Sequence, residues 1–481
     1  MNTFLNTIHI NLQRYILPLA LRRGGPGVSL ILACFVFSSC GIYKSYERPE
    51  DVKTDGLYGS AQVGNSEQGL GAMEWRQFFT DPTLQGLIER GLSQNLSMRQ
   101  LDLQIQETQE YLKCSKLAYI PSLTLAPQGQ LSASDWDKPL KFYTVPLTAS
   151  WQIGSLGQLR NAKKKAQVAV EQTRTARMAV QQALVANIAT LYYTLCALDA
   201  QIATSEKTVA NWRETVDYTK KLMEAGRSNK AALAQTQANC YGVETSLLDL
   251  REAVIEAENA LCTLIGEAPH HIERTTLSSF QAPAKAETGV PMSLLQYRPD
   301  VKQAELKLAS AFYEANYAKA AFYPALTLSG TLGFTNNGGS SELNPGVWIW
   351  NAIGQLVQPI FQNGRLRAQK KVAVMQQEEA KLAFQQALIA AGNEVNTALT
   401  KLQIAEGKKS LISAQISALE EAVRATEALY KDNVTRQVNY LNVLTAQSGL
   451  YSAQLGQIGN QLNTVQATIE LYQALGGGGI E

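Results

Sequence analysis

From residue 122 to residue 152 apolar and polar positions alternate. Leu123, Leu125, Leu131 and Ala133 take turns with Ser122, Thr124, Gln128, Gln130 and Ser132. After Lys141, Tyr143, Val145, Leu147, Ala149 and Trp151 take turns with Phe142, Thr144, Thr148, Ser150 and Gln152. A period of two gives a strand one apolar and one polar face. The alternation returns later, where Leu326, Leu328, Leu332 and Phe334 oppose Thr327, Ser329, Thr331 and Gly333. A fourth strand, less regular, is predicted at about Val347 to Phe361 and carries Trp348 and Trp350. The intervening segments, Ser134 to Pro139 and Asn336 to Gly346, are rich in Asp, Asn, Gly, Ser and Pro and read as turns.

Between and after the strands the period changes. Val180, Leu184, Ile188, Leu191, Leu195, Leu198 and Ile202 step by three and four, and so do Leu247, Leu250, Val254, Ala257, Leu261 and Leu264. Further on, Leu388, Val395, Leu399 and Leu402 are followed by Leu455, Ile458, Leu462, Val465, Ile469 and Tyr472 at heptad spacing. Such spacing predicts coiled-coil hairpins with turns near Gly226 and Asn433. A continuous helix from Gly157 to Gly226 reaches roughly 100 Å at about 1.5 Å per residue, a rod rather than a globule.

The two halves repeat one another. Ala118-Tyr-Ile-Pro-Ser-Leu-Thr-Leu125 matches Ala321-Phe-Tyr-Pro-Ala-Leu-Thr-Leu328, with Pro121 and Pro324 203 residues apart. Ser97 and Gln100 match Asp300 and Gln303, each pair reading as a helix-start signal. Gly157-Gln-Leu-Arg160 matches Gly364-Arg-Leu-Arg367, and Leu261 to Gly266 matches Leu471 to Gly476. The chain divides into an N-terminal signal at 1–39, a tether with a first short helix at 40–95, two repeats at 96–282 and 283–476, and a Gly-rich tail at 477–481. Each repeat reads as a helix, two strands and two long helices.

Composition narrows the function. A formal charge of +2 over 481 residues is close to neutral, so a nucleic-acid surface is not expected. Strands of about 10 residues suit a tilted crossing of a membrane, with Trp136, Trp151, Trp348 and Trp350 as candidate interface residues. Four strands cannot close a barrel, and lipid tolerates no open edge, so several chains must share one barrel. No window after Cys40 reads as the roughly 18 uncharged apolar residues of a spanning helix. Cys114, Cys196, Cys240 and Cys262 show no zinc spacing and read as packed thiols; whether Cys196 and Cys262 are bridged stays open. The histidines are His9, His270 and His271, and no HExxH, GxSxG or phosphate loop occurs, so an enzyme is not expected. Met73, Met98 and Met292 form no cluster for soft metals, and no metal site is expected.

At the N-terminus Arg14, Arg22 and Arg23 precede a short apolar core from Val28 to Phe37. Ser38-Ser39-Cys40-Gly41 resembles the lipobox of bacterial lipoproteins, in which cleavage leaves a diacylated N-terminal cysteine. Ile31-Leu-Ala-Cys34 also resembles one, but its use would leave Phe35-Val-Phe37 on the mature chain, so Cys40 is favoured. No cofactor is expected beyond this covalent lipid.

Four further motifs carry a family resemblance from Cys40 to about Gly476. Tyr297-Arg-Pro-Asp-Val-Lys-Gln-Ala-Glu-Leu306 with Ala320 to Leu328, and Gln358-Pro-Ile-Phe-Gln-Asn-Gly-Arg365, resemble the RPDVxxAE and QPIFxxGR elements of bacterial outer-membrane factors. Cys40 with Tyr46-Glu-Arg-Pro49 is similar to the start of their lipoprotein branch, and Tyr440-Leu-Asn-Val-Leu-Thr-Ala-Gln447 resembles the helix past their second hairpin tip. The resemblance implies a mixed α and β membrane protein and a TolC-like homotrimer. Twelve strands, four per chain, make one outer-membrane β-barrel, which continues into a periplasmic α-helical barrel. The partners implied are a periplasmic adaptor, an inner-membrane pump of the RND type and outer-membrane lipid. The function implied is the exit duct of a tripartite export system for small toxic compounds or drugs. Type I protein secretion, metal-ion efflux and a non-channel coiled-coil lipoprotein are the alternatives.

On this reading Gly226, Arg227, Ser228 and Asn229, with Asp432, Asn433, Val434, Thr435 and Arg436, form tips that meet the adaptor. The family commonly has acidic residues that ring and help close the entrance just past the second tip; Asn442 and Thr445 stand there here. The end is then held shut by hydrogen bonds and packing around Tyr440, Asn442 and Arg436.

Overall fold

The computed structural model describes residues 44–49, 73–133, 140–153, 156–280, 298–336, 346–432 and 440–477. The elements are α1 (Trp75–Phe78), α2 (Pro82–Gln94), α3 (Leu96–Leu117), β1 (Ser122–Leu125), β2 (Gln128–Ser132), β3 (Leu140–Gln152), α4 (Leu156–Glu224) and α5 (Lys230–Ile265). After a 3-10 turn at Leu277–Ser279 come α6 (Pro299–Ala320), β4 (Ala325–Thr335), β5 (Val347–Val357), α7 (Arg365–Asp432) and α8 (Tyr440–Ala474). The predicted order of helix, strands and long helical pair is present twice. The chain forms two compact units, and these do not follow the repeat boundaries. The first is built on Thr108–Val170 and Lys307–Lys381, the second on Glu171–Leu306 and Leu382–Glu481 together with the segment that ends at Glu107.

The first unit contains the sheet, which is antiparallel throughout and ordered β1-β3-β4-β5, with β2 also on β3. The first predicted strand is split, and proline is the reason. β1 and β2 keep one register against β3: Ser122 faces Ser150 and, six residues on, Gln128 faces Thr144. Between them lie Pro127 and, on β3, Pro146. Neither has an N–H to give to the ladder. A single bond bridges the gap, from the Ala126 amide to the Pro146 carbonyl (3.2 Å).

The second unit contains the main hydrophobic core. Trp75, Phe78, Leu84, Leu87 and Ile88 from the first two helices pack with Ile188, Tyr192 and Leu195 of α4, Leu261 and Ile265 of α5, and Tyr472 of α8. The Tyr472 ring stacks on Phe78 at 4.0 Å, and its hydroxyl donates to the Met73 carbonyl (2.6 Å). α4 does hold an 18-residue stretch apolar enough by length and composition to cross a membrane, and 56% of it is buried in the protein. The expectation of no such stretch needs this correction. The run from Leu184 to Ala197 in this helix is core, which accounts for its apolar character.

Asp81 caps α2. Its buried carboxylate accepts hydrogen bonds from the Thr83 amide (2.9 Å), the Tyr192 hydroxyl (2.8 Å) and the Thr275 hydroxyl (2.6 Å). Burial pushes its pKa up, but the Thr275, Tyr192 and backbone donors outweigh burial and hold it below the ordinary value. A depressed folded pKa adds stability above the unfolded pKa of about 3.9 and loses it as pH falls through the folded value. We therefore expect Asp81→Asn to destabilise by about 1–3 kcal/mol at neutral pH. The gap to the wild type should narrow in unfolding curves recorded below about pH 4.

The repeats share a tie at the helix junctions. The helix starts lie earlier than the Ser97 and Asp300 signals suggest. Asn95 caps α3 by accepting from the Met98 amide (3.1 Å), and α6 opens with the Lys302 amide on the Arg298 carbonyl (3.0 Å). Asn95 Nδ2 also donates to the Leu264 carbonyl at the end of α5 (2.9 Å). Arg298, 203 residues later, donates through Nη1 to the Ala474 carbonyl at the end of α8 (2.8 Å). Both carbonyls belong to a last helical turn, where no intrahelical donor remains. Just beyond them Gly266 (φ 76°) and Gly476 (φ 90°) turn the chain out of the helix.

Candidate functional site

The ladder assigns every sheet side chain to a face. Leu125, Leu147, Leu332 and Trp350 are directly paired and make one apolar row across four strands. Val145, Phe334 and Trp348 form a second row, and Trp151, Leu328 and Gly354 a third. This face is uncovered: Leu332 is 53% exposed, Trp348 68% and Trp350 79%. A patch of this kind marks a surface that meets lipid or protein rather than water.

The opposite face is polar over β1, over most of β4 and over β3 from Thr148 to Gln152, while Leu140, Phe142 and Pro146 of β3 share it nearer the loops. Thr124, Thr148, Thr331 and Asn351 form one of its rows, and the Thr148 and Thr331 hydroxyls lie 3.3 Å apart in a hydrogen bond. β5 departs from the rule, because Val347, Ile349, Ile353 and Val357 share this face. Its two-sided apolar character is why its alternation reads poorly in the sequence.

The aromatic residues mark both ends of the sheet. Trp151 lies at the end joined to the helices, and its indole N–H donates to the Tyr119 carbonyl (2.9 Å). Trp348 lies toward the other end, edge-on to Phe334 with centroids 5.9 Å apart. Trp151 is in the row of Gly354, six residues from Trp348 along β5, about 20 Å at ~3.3 Å per residue. The apolar band of an outer-membrane barrel is about 25 Å tall between its aromatic girdles. Trp136 lies outside the described residues.

The sheet also has two free edges. β5 presents Val347–Val357 with neither a proline nor a charged residue, and β1 and β2 form the other edge. Edges that must stay single usually carry such guards. α3, α4, α6 and α7 all join the sheet at the end opposite the two loops.

The first hairpin tip, in the second unit, is tightly specified. The Gly226 amide bonds to the Met223 carbonyl (3.0 Å) and the Arg227 amide to the Leu222 carbonyl (2.8 Å). This paired arrangement closes α4 around a left-handed residue, and Gly226 has φ 73°. Asn229 then caps α5, its side chain accepting from the Ala232 amide (2.8 Å). Gly226, Arg227 and Asn229 are exposed and Ser228 is half-buried, so the tip is a rigid, accessible polar corner.

Of the second tip, Asn433, Val434, Thr435 and Arg436 lie outside the described residues, as do the side chains of Asp432 and Tyr440. Asn442 and Thr445 are exposed, while Val443 and Leu444 between them are buried. Leu444 packs with Val209, Trp212, Cys240 and Val243 of the first hairpin. The Tyr451 and Ser205 hydroxyls, 2.9 Å apart, add a polar tie between α8 and α4.

Cys40 and Cys34 lie outside the described residues. Six residues past Cys40, the Tyr46 amide donates to the Tyr313 hydroxyl (3.3 Å), and its ring meets Phe312 edge-on at 5.9 Å. The tether is thus seated on α6 within the first unit. Cys114, Cys196, Cys240 and Cys262 are free thiols, so Cys196 and Cys262 are not bridged. Burial pushes the Cys196 thiol up to about 12, which keeps it protonated and unreactive. Among the described residues no group of three or more His, Cys, Asp or Glu side chains could hold a metal ion.

One group of this region is not evident from residue pattern. Arg298 is 5% exposed, donates through Nε and Nη2 to the two carboxylate oxygens of Asp300 (3.0 and 2.7 Å), and also pairs with Glu394 of α7. The Arg-Pro-Asp motif was the only trace of it in the sequence. Burial pushes the Asp300 carboxyl up, but the Arg298 fork outweighs this and holds it below the usual range.

The family model described as outer membrane efflux protein matches residues 87–267 and 290–477. The chain is similar to a probable efflux pump outer membrane protein, TtgC of Pseudomonas putida, at 26% identity over 94% of this chain and 96% of the relative. It is 27% identical to the cation efflux system protein CusC of Escherichia coli, over 92% of this chain and 97% of the relative. A CusC crystal structure superposes with a TM-score of 0.80 at 25% identity, covering 90% of this chain and 99% of the other. The probable outer membrane lipoprotein SilC of Salmonella typhimurium is 26% identical over 87% of this chain and 90% of the relative. With both repeats matched and the fold shared, this chain belongs to the outer membrane efflux protein family.

Proposed function

We propose that three copies of this chain form the exit duct of a tripartite export system, passing small toxic compounds or drugs across the outer membrane. One observation carries the reading: an open antiparallel sheet with one exposed apolar face and two free edges, of which β5 carries neither proline nor charge. In lipid every backbone donor and acceptor must be paired, so such a sheet is stable only if other copies supply the missing neighbours. Edge-to-edge closure then turns the Thr124-Thr148-Thr331-Asn351 rows toward a wet bore and the Leu332 rows toward lipid. The chain itself breaks no bond; an inner-membrane pump of the RND type supplies the energy through an adaptor that meets the hairpin tips. An acyl group on Cys40, a proposal supported by the lipobox resemblance and by the name of SilC, adds membrane affinity beside the barrel.

The test is to extract the protein from outer membranes in mild detergent and measure its native mass and its conductance in planar bilayers. A mass of three chains with ion-conducting steps is expected. A single-chain mass without conductance would favour a non-channel coiled-coil lipoprotein and end the duct reading.

A further inference from the structure

We propose that the chain carries a basic collar, built once in each repeat, that binds anionic phospholipid headgroups in the periplasmic leaflet of the membrane. The inference rests on the barrel reading above and adds which lipid gathers where the helices leave the sheet.

The two repeats build the same device in the first unit. After β3, α4 carries Arg160, Lys163 and Lys164; after β5, α7 carries Arg367, Lys370 and Lys371 at the matching positions. The Lys163 ammonium lies 5.8 Å from the centre of the Tyr119 ring, and the Lys370 ammonium 5.8 Å from that of Phe322. A cation within about 6 Å of a ring face is attracted to it. Tyr119 and Phe322 are themselves matching positions, three residues before Ser122 and Ala325. Each is tied to the sheet through its carbonyl, which accepts from the Trp151 indole in the first repeat (2.9 Å) and from the Gln358 amide in the second (2.9 Å).

The collar faces lipid. Lys163 reaches back to the end of α3, and Lys165 reaches forward to Glu314 of α6 (2.8 Å). Arg160 and Lys164 lie about 60° and 100° round the helix from Lys163, between those two directions. The strands above follow the order β1-β3-β4-β5, so a right-handed helix leading away from β3 turns this arc to the face of Leu147 and Trp151. Arg367 and Lys371 take the same places round α7 from Lys370. The six stand about 3–12 Å along the helices from the first residues of α4 and α7, at ~1.5 Å per residue. A headgroup layer is about 5–7 Å deep, and long basic side chains extend the reach.

Charge names the partner. Residues 157–170 and 364–377 contain no acid. Lys165 has Glu314, but among the described residues Lys163, Lys164, Arg367, Lys370 and Lys371 have no carboxylate partner. Arg367, in the first turn of α7, also runs against the helix dipole, which favours anions there. Positive charge left unbalanced by the chain is stabilised by anions outside it, and at this depth lipid phosphates supply them.

The experiment reconstitutes the detergent-extracted protein in phosphatidylcholine bilayers with spin-labelled phosphatidylglycerol or spin-labelled phosphatidylcholine. The immobilised fraction of each label gives the preference of the protein's lipid shell. A severalfold preference for phosphatidylglycerol is expected, lost in molar salt. Lys163→Gln with Lys164→Gln, or Lys370→Gln with Lys371→Gln, should each lower it, and all four together should bring it near parity. Lys408→Gln with Lys409→Gln, exposed bases of α7 in the second unit, should leave it unchanged. No preference in the wild type, or an undiminished one in variants of unchanged native mass, overturns the collar and leaves the duct standing. The two double variants decide alone if the fourfold variant does not assemble. An equal fall in the Lys408 and Lys409 variant assigns the effect to net charge and also overturns the collar. Absence of any immobilised lipid overturns both the collar and the barrel reading, since the apolar sheet face would then not meet lipid.

Discussion

Arg298→Ala is expected to lower stability by about 3 kcal/mol, toward the low end of the cost of breaking a buried ion pair. The guanidinium joins three elements: Asp300 at the start of α6, Glu394 of α7 and the Ala474 carbonyl at the end of α8. Its removal orphans the carbonyl and two carboxylates at once. The estimate sits low because the Asp300 and Glu394 side chains are 51% and 59% exposed and can turn to water. Arg298→Lys should recover little, since one ammonium cannot reproduce the planar fork on Asp300 while also reaching Ala474. Asn95→Ala removes the corresponding tie of the first repeat. It uses a neutral donor and a helix cap, so a loss of about 1–2 kcal/mol is expected. Thermal unfolding of the purified protein in detergent measures all three, and an Arg298→Ala protein as stable as the wild type would sink this account of the Arg-Pro-Asp motif.

The second large effect is a contrast between adjacent residues. Leu332→Lys should cost about 1–3 kcal/mol, the penalty for a cation on the lipid face between the interface and the middle of the bilayer, since its row lies about 7 Å from that of Trp348. Thr331→Lys, one position away, turns its charge to the polar face and should leave assembly intact while changing ion selectivity. Leu332 pairs with Leu147 and Trp350, and Thr331 with Thr148 and Asn351, so the two side chains sample opposite faces at one depth. Outer-membrane yield separates the first variant, and reversal potential in planar bilayers the second. Equal yields for both would mean that the Leu332 face does not meet lipid.

Much of this was readable along the chain. Heptad spacing at Leu247, Leu261, Val465 and Ile469 marks positions that are packed in the second unit, because a helix buries one stripe whatever its neighbours. Alternation through Leu123 to Trp151 located the first strands, because pleating sends successive side chains to opposite faces. The repeat predicted that the order of elements would occur twice. The break at Pro127 was hidden because apolar alternation carries no information about missing amides. The fourth strand read poorly because Val347, Ile349, Ile353 and Val357 make β5 apolar on both faces.

The sequence alone determined the local order of helix, strand and long hairpin, the identity of the two sheet faces and, through four ordered motifs, the family resemblance. These follow from periodicity and short-range chemistry. Only the tertiary structure decided that Leu125, Leu147, Leu332 and Trp350 form one row, that Arg298 and Asn95 serve the same post in the two repeats, and that the apolar stretch of α4 is core. Each of these joins residues far apart in the chain, and such distances close only when cross-strand registers and the ends of long helices are set by packing against one another.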